Sequence, residues 1–157
     1  MSVQNDVKIN KKCAFQARSI GPSTINNPTE KDYQMCRTAV ATNVLTYVTF
    51  NLEVDETGTP HLQIHAQATT QLTATAWQKA LGGRVGNIVA TKSPQDCIDY
   101  CQGYTVKSDR TERKSGSQDP ETPSITGHLG YEEYGTPPKQ GDRTDLAKCI
   151  ESINAIN

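Results

Sequence analysis

The strongest constraint in this chain is a pair of alternating segments joined by a five-residue turn. Residues 44–54 (VLTYVTFNLEV) place Val44, Thr46, Val48, Phe50, Leu52 and Val54 on one face at a period of two, which predicts a strand. Leu45, Tyr47, Thr49, Asn51 and Glu53 fall on the other face, which grows more polar toward its end. Asp55-Glu56-Thr57-Gly58-Thr59 is turn sequence, and residues 60–68 (PHLQIHAQA) alternate again. Here His61, Gln63, His65 and Gln67 share one face, and Leu62, Ile64, Ala66 and Ala68 the other. A turn centred on Thr57 sets Glu53 opposite His61 and Asn51 opposite Gln63, all on the polar face.

Around this hairpin, helical and extended segments interleave. Residues 12–20 (KCAFQARSI) read as a strand stopped by Gly21-Pro22, with loop over 21–29. Asn27 is the expected cap of a helix with Pro28 first, Glu30 third and an end near Thr42. A second helix runs from Thr73 to Leu81 and stops at Gly82-Gly83, and 84–91 (RVGNIVAT) suits a strand. Ser93-Pro94 opens a third helix reaching Gln102 or Tyr104. Residues 105–124 are polar and read as a mobile insertion, and 125–134 as a short strand or hairpin. Pro137 to Gly141 is linker sequence, and 142–156 an amphipathic helix with Leu146, Ile150 and Ile153 on one stripe. Because the central pair is a hairpin, the expected class is α+β: an antiparallel sheet flanked by helices.

Charge and cysteine content narrow the function classes. A net charge of −1 over 157 residues excludes a general polyanion binder acting through its overall field. Five cysteines at irregular spacing argue against a disulfide framework and for a reducing, intracellular compartment. No run of about 18 apolar residues is present for a membrane span, and MSVQNDVKINKK has no signal-type apolar core. With 34% hydrophobic residues the core must be economical, leaving the polar excess to loops or a working surface.

The polar hairpin face carries the chemistry. Opposed side chains on adjacent strands have Cβ atoms about 4.5–5.5 Å apart, close enough to share one cation. Glu53, His61 and Gln63 offer a carboxylate, an imidazole nitrogen and an amide oxygen, a set suited to Mg²⁺ or Mn²⁺. The competing reading is an ordinary solvated sheet face. On the third helix, Cys97, Tyr100, Cys101 and Tyr104 follow at helical spacing as one stripe, which by itself reads as a buried face. Cys97 and Cys101 lack zinc spacing to His128 or Cys149 and read as core thiols. His65 shares the His61 face and reads as a plain surface histidine, or as a DNA contact if that face binds nucleic acid. Lys107, Arg110, Arg113 and Lys114 form a basic cluster able to grip phosphates beside a cleft.

Four segments then point to a family. TPHLQ (59–63) after LEVDETG resembles the second motif of replication initiator proteins from circular single-stranded DNA viruses, a His–hydrophobe–Gln form of the HUH endonuclease signature. INNPTEKDYQ (25–34), SPQDCIDYC (93–101) and GTPPKQGDRTDL (135–146) are similar to three further family segments, in family order over about residues 12–150. The resemblance implies an HUH nuclease domain, RRM-like, over 1–141, with 142–157 a helix leading toward a helicase domain. It implies Mn²⁺ or Mg²⁺ on Glu53, His61 and Gln63, and Tyr100 as nucleophile. The implied reaction nicks and rejoins single-stranded DNA at a replication-origin stem-loop, through a 5′-phosphotyrosine link, in the host nucleus. It also implies no membrane partner, and oligomerisation through regions outside this chain.

The sequence departs from the family in two places. The family has Tyr-x-x-Lys, but Gly103 stands three residues after Tyr100. Tyr104 has Lys107 at that spacing, so either Tyr104 is the nucleophile or an insertion has moved the lysine to Lys107 or Lys114. The SPQDCID register and the helix end at Gly103 favour Tyr100, with Lys107 as its lysine. The first motif is also interrupted, because Phe15-Gln16-Ala17-Arg18 is separated from Asn26-Asn27-Pro28. Two other readings stay open: a non-catalytic single-stranded DNA-binding domain on the same fold, and a small protein-interaction module.

Overall fold

A computed structural model of the chain describes residues 14–106, 109–117 and 130–138. Its order is β1 (Gln16–Asn26), α1 (Glu30–Thr38) with a 3₁₀ turn (Ala39–Thr42), β2 (Leu45–Val54), β3 (Pro60–Thr73), α2 (Ala74–Leu81), α3 (Pro94–Cys101) and β4 (Glu132–Gly135). The strands form one antiparallel sheet in the order β1-β3-β2-β4. This is the expected α+β class with an antiparallel sheet between helices. The linker-side helix expected over 142–156, and the domain boundary before it, lie outside the described residues. Among the described residues no helix is long and apolar enough to cross a membrane.

The two sheet faces do different work. Val48, Phe50, Leu62, Ile64 and Ala66 pack with Tyr33 and Cys36 of α1 and Trp77 and Leu81 of α2 into the apolar core. α3 lies across the other face, against β1, β2 and β3. Gly21 makes this approach possible: a Cβ there would stand 2.8 Å from Cys97 Sγ. Its φ of 139° also lies where side-chain-bearing residues are strained.

Several local expectations change. β1 does not stop at Gly21-Pro22 but runs through them to Asn26, with a register shift between Ile20 and Ser23 absorbing the irregularity. The segment expected as a strand over 84–91 makes only isolated bridges to β1, at Gly86 and Ala90, because Asn87 takes a positive φ of 53°. The cap of α1 is Thr29 rather than Asn27, with Asp32 completing a reciprocal capping box. Asp32 also pairs with Arg84, which ties the connection after α2 to the start of α1. A shift between Leu45 and Tyr47 turns Leu45 into the core and leaves Val44 exposed, the reverse of strict alternation. α2 ends as expected, with a left-handed Gly82.

Residues 109–117, expected as part of a mobile insertion, pack on the fold. Lys114 N–H donates to the Gly103 carbonyl at 2.8 Å, and Val54 N–H donates to the Gly116 carbonyl at 2.9 Å. β4 occupies the edge of β2 at Tyr47–Phe50, and Ser117 bridges the same strand at Glu53. The insertion thus extends the cover of one sheet edge, where unpaired backbone groups need partners.

Candidate active site

The hairpin forms with the register that its alternation predicts: Glu53 faces His61 and Asn51 faces Gln63. The turn is fixed by Asp55, whose carboxylate accepts from the Thr57 and Thr59 N–H groups at 2.9 Å each. The Thr57 hydroxyl donates to it as well, and these bonds hold the Asp55 carboxyl below its usual pKa range. His61 Nε2 stands 3.6 Å from Glu53 Oε1 and 3.1 Å from Gln63 Oε1. Glu53 and Gln63 are buried, and the His61 side chain is only 15% exposed, so the competing picture of a solvated face does not describe these groups.

The three donors suit a small oxygen-seeking cation. Ligands about 2.1 Å from an octahedral ion stand about 3.0 Å from their neighbours, close to the spacing of the His61 and Gln63 atoms. No three His, Cys, Asp or Glu side chains cluster among the described residues, so this group counts three donors only with the amide of Gln63. One carboxylate, one imidazole and one amide, without a thiolate, form a donor set better matched to Mg²⁺ or Mn²⁺ than to structural zinc.

Tyr100 joins this group from α3. It borders an open cleft of about 590 Å³ that is also lined by Glu53, Asp55, Thr57, His61 and Ser115. Burial, and then the Glu53 carboxylate, raise the pKa of its phenol, so the hydroxyl holds its proton at neutral pH. Tyr104 is not part of the α3 stripe, because the helix ends at Cys101. Its ring packs under the guanidinium groups of Arg110 and Arg113, 4.3 and 4.5 Å from its centroid, and edge-on to Tyr131. Tyr104 is not among the residues lining the cleft.

The lysine beside Tyr100 is Lys114. Its Nζ lies 2.6 Å from Glu53 Oε2 and 3.1 Å from the centre of the Tyr100 ring. Burial lowers its pKa, while the Glu53 carboxylate works to raise it. Lys107 lies outside the described residues. The segment 109–117 therefore brings a cation to Tyr100, while Gly103, at a left-handed φ of 92°, carries no side chain.

No protein-family model matches the chain, and no curated protein matches it. The arrangement is braced by further side chains. Gln102 belongs to no recognisable motif, yet it is a buried polar link between the end of α3 and the sheet. Its amide donates to Thr49 Oγ1 at 2.9 Å and Tyr47 Oη at 3.3 Å, and its carbonyl oxygen accepts from Arg110 at 2.6 Å. Arg113 donates to its backbone carbonyl at 2.8 Å. Arg110 is further paired with Asp99, one residue before Tyr100. Two members of the expected phosphate-gripping cluster are thus engaged in holding the end of α3. His65 is fully buried, within 3.3 Å of Gln67 Nε2 and 3.4 Å of Thr91 Oγ1, so it is neither a DNA contact nor a surface histidine. Cys97 and Cys101 are buried with sulfurs 3.9 Å apart, as core thiols, while His128 and Cys149 lie outside the described residues.

Proposed function

We propose that this chain nicks and rejoins single-stranded DNA with Tyr100 as nucleophile and a divalent cation held by Glu53, His61 and Gln63. The observation that carries the reading is one contact group: Glu53, His61 and Tyr100 line a single cleft, with Gln63 against His61 and Lys114 against both Glu53 and the Tyr100 ring. A phenol is a weak nucleophile at neutral pH, and a cation beside it and a polarised phosphate are the two aids that it needs. Lys114 supplies the first, as an ammonium against the ring that stabilises negative charge developing on the phenol oxygen. When bound, Mn²⁺ or Mg²⁺ supplies the second, by drawing charge from the scissile phosphate.

In the proposed step the Tyr100 oxygen attacks phosphorus, a new O–P bond forms, and the bond from phosphorus to the 3′ oxygen breaks. The phenol proton passes to solvent and the departing 3′ oxygen takes one up, leaving a 5′-phosphotyrosine and a free 3′-hydroxyl. Attack by a 3′-hydroxyl reverses the sequence and rejoins the strand. Tyr100 is placed on regular helix, which suits the demand that reacting atoms meet within about 3–3.5 Å in line. Single strands or loops of an origin stem-loop are the expected partner, because a net charge of −1 offers little hold on random duplex.

The test is a nicking assay on single-stranded oligonucleotides with and without Mn²⁺. A covalent protein–DNA adduct that forms only with the metal, persists in Tyr104→Phe and vanishes in Tyr100→Phe supports the reading. Salt-sensitive binding without any adduct would instead favour the non-catalytic DNA-binding domain. An adduct mapped to Tyr104 would move the nucleophile while keeping the chemistry.

A further inference from the structure

Glu53 is the only formally anionic group among the three donors, and its two oxygens face different partners. Oε1 faces His61 Nε2 at 3.6 Å. Oε2 is held by Lys114 Nζ at 2.6 Å, with Ser117 Oγ 3.4 Å away. The carboxylate therefore has one oxygen turned to the other donors, and its negative charge is balanced by a lysine. Lys114 is not a swinging surface residue: its side chain is 13% exposed, and its own N–H is bonded to the Gly103 carbonyl. Two residues on, Gly116 fits against Val54 so closely that any Cβ would overlap the Val54 carbonyl. The backbone thus fixes an ammonium group on a carboxylate that a cation would also need.

We propose that Lys114 acts as an internal competing cation that keeps the affinity of the Glu53–His61–Gln63 site for divalent metal low. This rests on the metal reading given above. The physical basis is that a fixed positive charge on the anionic ligand repels an incoming divalent ion and offsets the charge that attracts it. It also occupies the second carboxylate oxygen, which leaves Glu53 a one-oxygen ligand. Removing the charge frees that oxygen and turns a neutral Glu–Lys pair into a net anionic site. The effect runs opposite to ordinary damage, because deleting a merely packed lysine would loosen the site and weaken metal binding. The same residue thereby links two demands: charge stabilisation at Tyr100 is gained at the expense of resting metal affinity.

The test is Mn²⁺ titration of the full chain, followed by the electron paramagnetic resonance signal of free Mn²⁺. Lys114→Met is expected to bind Mn²⁺ about tenfold tighter or more than wild type, while Lys114→Arg, which keeps the charge, stays within about threefold. Adding His61→Ala to Lys114→Met should abolish the gain. If Lys114→Met does not fold, Lys114→Gln removes the same charge. Unchanged or weaker Mn²⁺ binding by the neutral variants, with wild type binding normally, overturns this inference alone. Absence of Mn²⁺ binding in wild type and neutral variants alike removes the underlying metal reading as well.

Discussion

Gly116→Ala isolates the contribution of the insertion, because Gly116 touches the site only through backbone. At a φ of 83°, alanine is strained there by about 1–2 kcal/mol. Its Cβ would also fall well inside 3.0 Å of the Val54 carbonyl oxygen, and backbone cannot swing aside as a side chain would. The segment must lift, which removes the 2.9 Å bond from Val54 N–H to Gly116, worth about 1 kcal/mol net. Together these give a local cost of about 2–3 kcal/mol, or roughly 30- to 150-fold in the opening equilibrium of the segment. Hydrogen exchange reads this directly: the Val54 amide should lose protection by about that factor. Amides of β3 opposite the core, such as Ile64, should change far less. Lys114 moves with the segment, so adduct formation should fall by about 10- to 100-fold, the usual effect of a displacement near 1 Å at a reacting group. Val54 protection within threefold of wild type would refute the reasoning, whether or not the chain cleaves DNA.

Other perturbations give separate outcomes. His61→Ala should abolish Mn²⁺ binding and nicking while shifting the urea midpoint little, since His61 is at the cleft rather than in the apolar core; retained Mn²⁺-dependent nicking would remove it from the site. Gln102→Leu should cost about 1–3 kcal/mol in urea unfolding, because Arg110 and Thr49 lose a buried partner; no change in midpoint would contradict its bracing role. Burial pushes the Cys36 thiol from 9.0 up to about 12, so the unfolded chain gives up this proton first as pH rises. That contribution to stability is complete below pH 9 and is lost between 9 and about 12, and Cys36→Ala should flatten the decline in unfolding midpoint over this range.

The hairpin was legible because two period-two patterns and one Gly-containing turn fix both faces and register at once. Glu53 opposite His61, and Gln63 beside it, follow from counting. The helix end at Gly82 was legible because it is set by local backbone chemistry, whereas the sequence leaves Thr73 and Thr75 both open as the cap that Thr73 supplies. β1 was misread at Gly21-Pro22, because the sequence does not reveal that α3 needs a glycine beneath Cys97. The stripe that joined Tyr104 to Tyr100 failed where the helix ended, as Gly103 turned left-handed and returned the chain to Arg113 and Lys114. His65 looked exposed because alternation assigns a face but not what covers that face.

Lys114 was the hardest residue to read, and the reason is geometric. A lysine three residues after a helical tyrosine is found by spacing, since both side chains lie on neighbouring rows of one helix. Here the helix stops one residue after Tyr100, so position 103 lies outside it and carries no side chain. The charge returns from fourteen residues away in sequence, through a segment held by the Gly103 carbonyl at one end and Val54 at the other. Spacing along the chain does not reveal such a contact, because it is made in space and not along one helix. The cost is that the cation now depends on the fit of Gly116 against β2, where a helical lysine would depend only on its own turn. The gain is reach: from the sheet edge Lys114 contacts the Tyr100 ring and the Glu53 carboxylate together, joining the tyrosine to the carboxylate on which a metal would depend.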